Sequence, residues 1–338
     1  MSRCVAWATV LLSVVVSACA HTGTRTISRL FEHQTAKTTA ALKAYANTHV
    51  TQPVVMLTDI AVAGEAQPRI DILYPQAAVQ TGRKLPVMVW VHGGAWIAGS
   101  KDDARPYLAL YANQGMAVVN VDYTLAPQAS HPQQLRELNQ ALAYVLQHVE
   151  KWPLDTRQMF LAGDSAGANL VSTYAAAINS RDLQQRLGLQ PVLQRGQVQG
   201  LLLHSGVFDM QALYATRAHT PKPIAWSVGK VVAAISGENP PQQQTLKNMS
   251  AIPWLTPDYP PVYVSASAND SLTASQTEPF ITALRAQGVP VQAQIYPKTH
   301  AEKLQHVFHF NMAFDASQTV LPQSLDFMQQ HSQSISGL

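Results

Sequence analysis

Gly163-Asp164-Ser165-Ala166-Gly167 decides how the rest of the chain is read. The apolar run Met159-Phe160-Leu161-Ala162 leads into it, and small, helix-forming residues from Ala168 to Ile178 lead out. A G-x-S-x-G therefore stands between a strand signal and a helix signal. A serine nucleophile needs that setting, because a sharp strand-to-helix turn lifts its Oγ clear of a sheet. Glycines two places before and two after it remove Cβ atoms that such a turn would crowd. The pentapeptide alone can arise by chance. Its weight comes from its flanks and from the rest of the chain.

Outward from it, apolar runs alternate with helical patterns. Pro86 to Val91, Ala117 to Val121, Leu201 to Leu203, Val262 to Val264 and Val291 to Tyr296 read as strands. Continuous apolar character marks strands buried on both faces. Between or after them, Ala104 to Asn113, Gln134 to Val149, Glu278 to Ala286 and Ser324 to Gln330 read as helices; Leu135, Leu138, Leu142, Val145 and Val149 recur at helical spacing. The alternation predicts an α/β fold, a mostly parallel sheet covered by helices on both faces. Val54 to Leu57 and Arg69 to Tyr74, joined by a short turn at Gly64, predict an antiparallel start. The segment from Val207 to Tyr259 is too long for a bare loop and reads as a partly helical insertion that covers the pocket. The catalytic domain is placed at 53–338, with the insertion at about 207–259.

The first residues read as an export signal. Arg3 precedes a short apolar stretch, Val5 to Val16, too short and wrongly flanked to span a membrane. Val16-Ser17-Ala18-Cys19 resembles a bacterial lipobox, which predicts a signal at 1–19 and a lipid anchor on Cys19. Ala18-Cys19-Ala20 also fits ordinary A-x-A cleavage, which would release a soluble protein. The lipobox is preferred, because a cysteine there is less expected by chance. Ala20 is not aspartate, which by resemblance to lipoprotein sorting points to the outer membrane, otherwise to a periplasmic or secreted protein. Residues 20–52 read as a tether running into one or two short helices.

Composition narrows the classes. The 338 residues contain only two cysteines, Cys4 and Cys19, so the mature domain has no disulfide or cysteine-based metal site. A net charge of +3 without basic clusters gives no sign of nucleic acid as a partner.

A second glycine-rich stretch supplies what a serine nucleophile needs. His92-Gly93-Gly94-Ala95-Trp96 directly follows the strand ending at Val91. Acyl transfer creates a negative oxygen at which backbone N–H groups must point. Gly93 and Gly94 are the expected donors, with Ala166, the residue after the nucleophile, as their partner.

His92-Gly93-Gly94, Asp122-Tyr123 with Leu125-Ala126-Pro127, and Gly163 to Gly167 resemble, in that order, bacterial hormone-sensitive-lipase-like carboxylesterases of the α/β-hydrolase superfamily. The resemblance runs from about Val54 to the C-terminus and is densest between His92 and Asn169. It implies an α/β-hydrolase fold with a cap or lid and hydrolysis of a small-molecule ester without metal or cofactor. Thr124, Gln128 and Ala95 depart from the family, which often has Arg, Glu and a third glycine there. His-Gly-Gly-x-Trp also resembles kynurenine formamidases and acetyl-xylan-type esterases. A non-catalytic hydrolase-fold binding protein is the alternative of another class.

In this fold the acid and then the histidine follow the serine in the chain. Asp270, just past the strand Val262 to Ala266, matches the family's acid loop and also suits a helix cap; Asp209 and Asp258 are its rivals. Four histidines follow Asp270: His300, His306, His309 and His331. His306-Val307-Phe308 reproduces the family's His-x-Phe, so His306 is preferred as the base and His300, close after the last strand, is the alternative. His92 and His131 are assigned structural places.

Overall fold

The computed structural model describes residues 3–62 and 67–332, with residues 3–22 as backbone only. The expected turn at Gly64 and the side chain of Cys19 lie outside the described residues. The strands are β1 (Val54–Ala61), β2 (Arg69–Pro75), β3 (Leu85–Val91), β4 (Ala117–Val121), β5 (Leu154–Asp164), β6 (Val198–His204), β7 (Val262–Ser267) and β8 (Val291–Tyr296). The helices are α1 (Arg3–His49), α2 (Gln76–Thr81), α3 (Lys101–Asn113), α4 (Gln133–Gln147), α5 (Ser165–Asn179) and α6 (Arg181–Leu187). After β6 come α7 (Met210–Ala215), α8 (Lys222–Ser236) and α9 (Gln243–Asn248), and α10 (Glu278–Ala286) and α11 (Asp315–His331) complete the set.

Among the described residues, eight strands form one sheet in the order β1-β2-β4-β3-β5-β6-β7-β8. β1 pairs antiparallel with β2, and β2 with β4; every later pairing is parallel. Alternate residues of each strand serve two different cores. Val87, Val89, Val91, Leu161, Leu203 and Val264 join α4, α5 and α10 on one face. Met88, Trp90, Phe160, Ala162, Leu202 and Tyr263 join α3 and α11 on the other. This two-sided burial is why the central strands read as unbroken apolar runs. Each Val, Leu or Phe removed from water there contributes about 1.5–3 kcal/mol.

Two segments differ from expectation. In place of a tether and short helices over 20–52, α1 is a single helix reaching His49. Its composition over 23–49 hid it, since among those described side chains it buries a sparse stripe. Ile27 enters the first core, and Leu42 with Ala46 enters the second against α3. α11 begins at Asp315, well before the expected Ser324, and carries Pro322 within it. The insertion is mainly helical, comprising α7, α8 and α9. It is tied to α5 by Asn169 Nδ2, which donates to Met249 O at 2.8 Å, and by Tyr259 Oη, which donates to Ser172 O at 2.9 Å.

Candidate active site

β5 delivers Ser165 at the first position of α5, with φ +49. That is the left-handed region, which a non-glycine residue occupies only when its surroundings hold it there. The flanking glycines explain how the turn fits. A Cβ on Gly163 would lie 2.7 Å from Val91 O, and one on Gly167 only 1.9 Å from the same oxygen. The end of β3 and the start of α5 therefore approach too closely for any side chain.

The parallel sheet then brings distant loops to this turn. His306 Nε2 lies 2.9 Å from Ser165 Oγ, and His306 Nδ1 lies 2.7 Å from Asp270 Oδ2. Asp270 is buried, and its Oδ1 also accepts the Leu272 N–H at 2.9 Å, so one carboxylate both stiffens its own turn and faces the imidazole. Its rivals are occupied elsewhere: Asp209 caps α7, and Asp258 pairs with Arg195. His306 comes from the loop after β8. Its neighbour Val307 has φ +51 and donates its N–H to Ser205 Oγ at 3.2 Å. Ser205, itself at φ +47 just past β6, carried no sequence signal for this position.

The other histidines are placed apart. His300 packs edge-on against Tyr296 and contacts Glu302 through Nδ1. His309 is buried beside His204 and Trp90, and burial holds its pKa well below the usual histidine value. His331 Nδ1 donates to Phe327 O on α11. His131 is half-buried, but its ring Nε2 is shut off from solvent, which pushes its pKa down to about 3.

The glycine-rich loop after β3 departs from expectation in one respect. The Gly93 N–H is donated to Asp164 Oδ1 at 3.0 Å, so it is not available to a developing oxyanion. The following residues turn back on themselves: Ile97 and Ala98 both donate to Gly94 O, at 3.2 and 3.0 Å. Gly94 at φ +103 permits this, since a Cβ there would lie 2.0 Å from Ala98 O. Among the described residues, the Gly94 and Ala95 N–H groups have no intramolecular acceptor, and Ala166, in the first turn of α5, has none within its helix. Ala95, which stands where the family has a third glycine, thus joins Gly94 in offering an N–H without an acceptor among the described residues, while Gly93 does not. His92 braces the loop from behind. It stacks on Tyr123 at 4.3 Å, donates through Nδ1 to Gly93 O at 2.7 Å, and places Nε2 3.1 Å from Asp122 Oδ1. Burial raises the Asp164 pKa to about 6, against the opposing pull of His92 and the Gly93 N–H.

A family model described as BD-FAE matches residues 70–284, which span the sheet from β2 to α10 and include Ser165 and Asp270. The chain belongs to the BD-FAE family. The chain is 28% identical over 244 residues to an acetyl esterase from Salmonella schwarzengrund (strain CVM19633), covering 69% of each. The fold is similar to that of esterase B from Lactobacillus rhamnosis (HN001), with TM-score 0.78 and 20% identity over 93% of this chain and 96% of that one. A form of that esterase inhibited by a tributyrin phosphonate matches with TM-score 0.71 and 21% identity, over 91% and 96% of the two chains. The BD-FAE chain described here thus has the α/β-hydrolase fold, and the likeness to hormone-sensitive-lipase-like carboxylesterases drawn from its motifs stands.

Proposed function

We propose that this BD-FAE family carboxylic ester hydrolase is a serine esterase that cleaves small to medium esters through an acyl-enzyme. The observation that carries the proposal is the chain of contacts from Ser165 through His306 to Asp270, at 2.9 and 2.7 Å. A serine hydroxyl is a weak nucleophile at neutral pH, and an oriented imidazole that takes its proton overcomes this. With Nδ1–H donated to Asp270, the free lone pair of Nε2 faces Ser165 Oγ. As Oγ attacks the ester carbonyl, its proton passes to Nε2, and Asp270 stabilises the imidazolium. The carbonyl oxygen becomes an oxyanion, for which the N–H groups of Gly94, Ala95 and Ala166 are the donors. Each such donor supplies about 10²–10³ in rate. Collapse expels the alcohol, which takes the proton from His306. Water then repeats the sequence on the acyl-enzyme, giving the carboxylic acid and free Ser165.

The acetyl esterase relatives support short acyl groups as substrates. A panel of p-nitrophenyl esters from acetate to decanoate tests this, with kcat/KM expected to be highest at two to four acyl carbons (about) and to fall beyond. A fluorophosphonate probe should label the protein but not Ser165→Ala. Equal labelling of both would remove Ser165 as nucleophile, and labelling of neither would favour a non-catalytic binding protein. We also propose export as a lipoprotein anchored through Cys19. Membrane association should then be lost in Cys19→Ser.

A further inference from the structure

The N-terminal end of α8 projects from the insertion as an exposed apolar tip. Ile224 is 53% exposed and Trp226 is 48% exposed, although both are large apolar residues. Lys222, Trp226 and Lys230 follow at four-residue intervals, so they form one stripe along α8. Among the described residues, no carboxylate pairs with either lysine. One edge of the Trp226 ring and the stem of Lys230 lie beside α1, while Trp226 keeps about half its surface exposed. A Cβ on Gly23 would sit 3.0 Å from the Trp226 ring and 3.5 Å from Lys230 Cε. Leu30, 69% exposed, continues the Gly23 face of α1 two turns further on. Cys19 precedes Gly23 by one helical turn, a rise of about 6 Å.

We propose that Lys222, Trp226 and Lys230, with Ile224 at the tip, dock on an anionic phospholipid surface. The inference rests on the proposed Cys19 anchor. Acyl chains on Cys19 would hold a bilayer surface within about one helical turn of Trp226. An indole prefers that interface because its ring is apolar while its N–H finds water or headgroups. Ammonium groups on either side of it face the anionic headgroups, and the charge and the apolar surface thus fit one occupant. Docking in this way seats the insertion, not the sheet, against the bilayer and fixes the orientation that acyl chains on Cys19 alone would leave free.

The test uses full-length lipidated protein on phosphatidylglycerol-containing vesicles with brominated acyl chains, beside Trp226→Phe. Tryptophan emission should be quenched in the parent, and this quenching should be absent in the variant. Hydrolysis of a water-soluble ester should be the same for both. Replacing phosphatidylglycerol by phosphatidylcholine, or both lysines by Gln, should at least halve the Trp226 quenching. Parent protein that sediments with the vesicles but shows the same quenching as Trp226→Phe overturns the docking and leaves the anchor intact. Parent protein that fails to sediment, like Cys19→Ser, removes the anchor and the docking together.

Discussion

Val307 holds a backbone conformation that a β-branched residue seldom adopts, and it stands directly after His306. Ser205 Oγ is what the Val307 N–H meets there. Ser205→Ala is therefore expected to lower kcat by about 3- to 10-fold with KM little changed, the worth of one positioning hydrogen bond. Steady-state kinetics check this, and Ser205→Thr should recover part of the loss. His306→Ala should cost about 10³-fold or more in kcat, whereas His300→Ala should leave kcat within about twofold, since the His300 ring packs on Tyr296 and meets Glu302. Motif and chain order singled out Ser165, Asp270 and the two rival histidines, and the fold brings Ser165, His306 and Asp270 into contact. Which loop N–H groups lack an acceptor was not legible. A pair of glycines announces a tight loop, but which of its N–H groups stays free depends on Asp164 reaching back across from β5.

At the scale of elements, the hidden feature is α1. Over residues 23–49, where its side chains are described, polar and small residues dominate the surface and few, widely spaced apolar side chains such as Ile27, Leu42 and Ala46 are buried, so no strong periodic signal forms. Leu42 is 1% exposed in the core shared with α3 and α11. Leu42→Ala should destabilise the protein by about 2–4 kcal/mol in urea unfolding. A change below about 0.5 kcal/mol would mean that this part of α1 contributes no packing. The central strands were legible because burial on both faces makes them apolar at every position. The insertion's length was legible too, while its three helices and their ties to α5 were not.

Across the whole molecule, buried histidines set the response to acid. The rings of His131 and His204 are shut off from solvent, which pushes their pKa values down to about 3, and His309 is shifted the same way. Each stays neutral when folded but is protonated near pH 6.5 once unfolded. The stability they contribute is thus complete above that pH and is lost as pH falls below it. Asp164 acts in the opposite sense: its folded pKa of about 6 lies above the unfolded value of 3.8, so its contribution is lost as pH rises through that window. Three histidines outweigh one carboxylate. Unfolding free energy should fall by roughly 1–3 kcal/mol per pH unit between about pH 6 and 4. Urea melts across that range check the slope, and Asp164→Asn should make it steeper. A flat profile would mean that these histidines are solvated.

What the sequence alone determined is local or periodic: the strand-turn-helix around Ser165, the two-sided strands, the glycine loop after β3, and the chain order of serine, acid and histidine. These follow from side-chain volume and hydrophobic period, which neighbouring residues carry by themselves. What only the tertiary structure decided depends on groups far apart in the chain. The loop after β8 carries His306 rather than His300 to Ser165, Asp164 takes the Gly93 N–H, and Ser205 meets Val307. Hydrogen bonds of that kind require angles and distances within fractions of an ångström, and a folded sheet is what sets them.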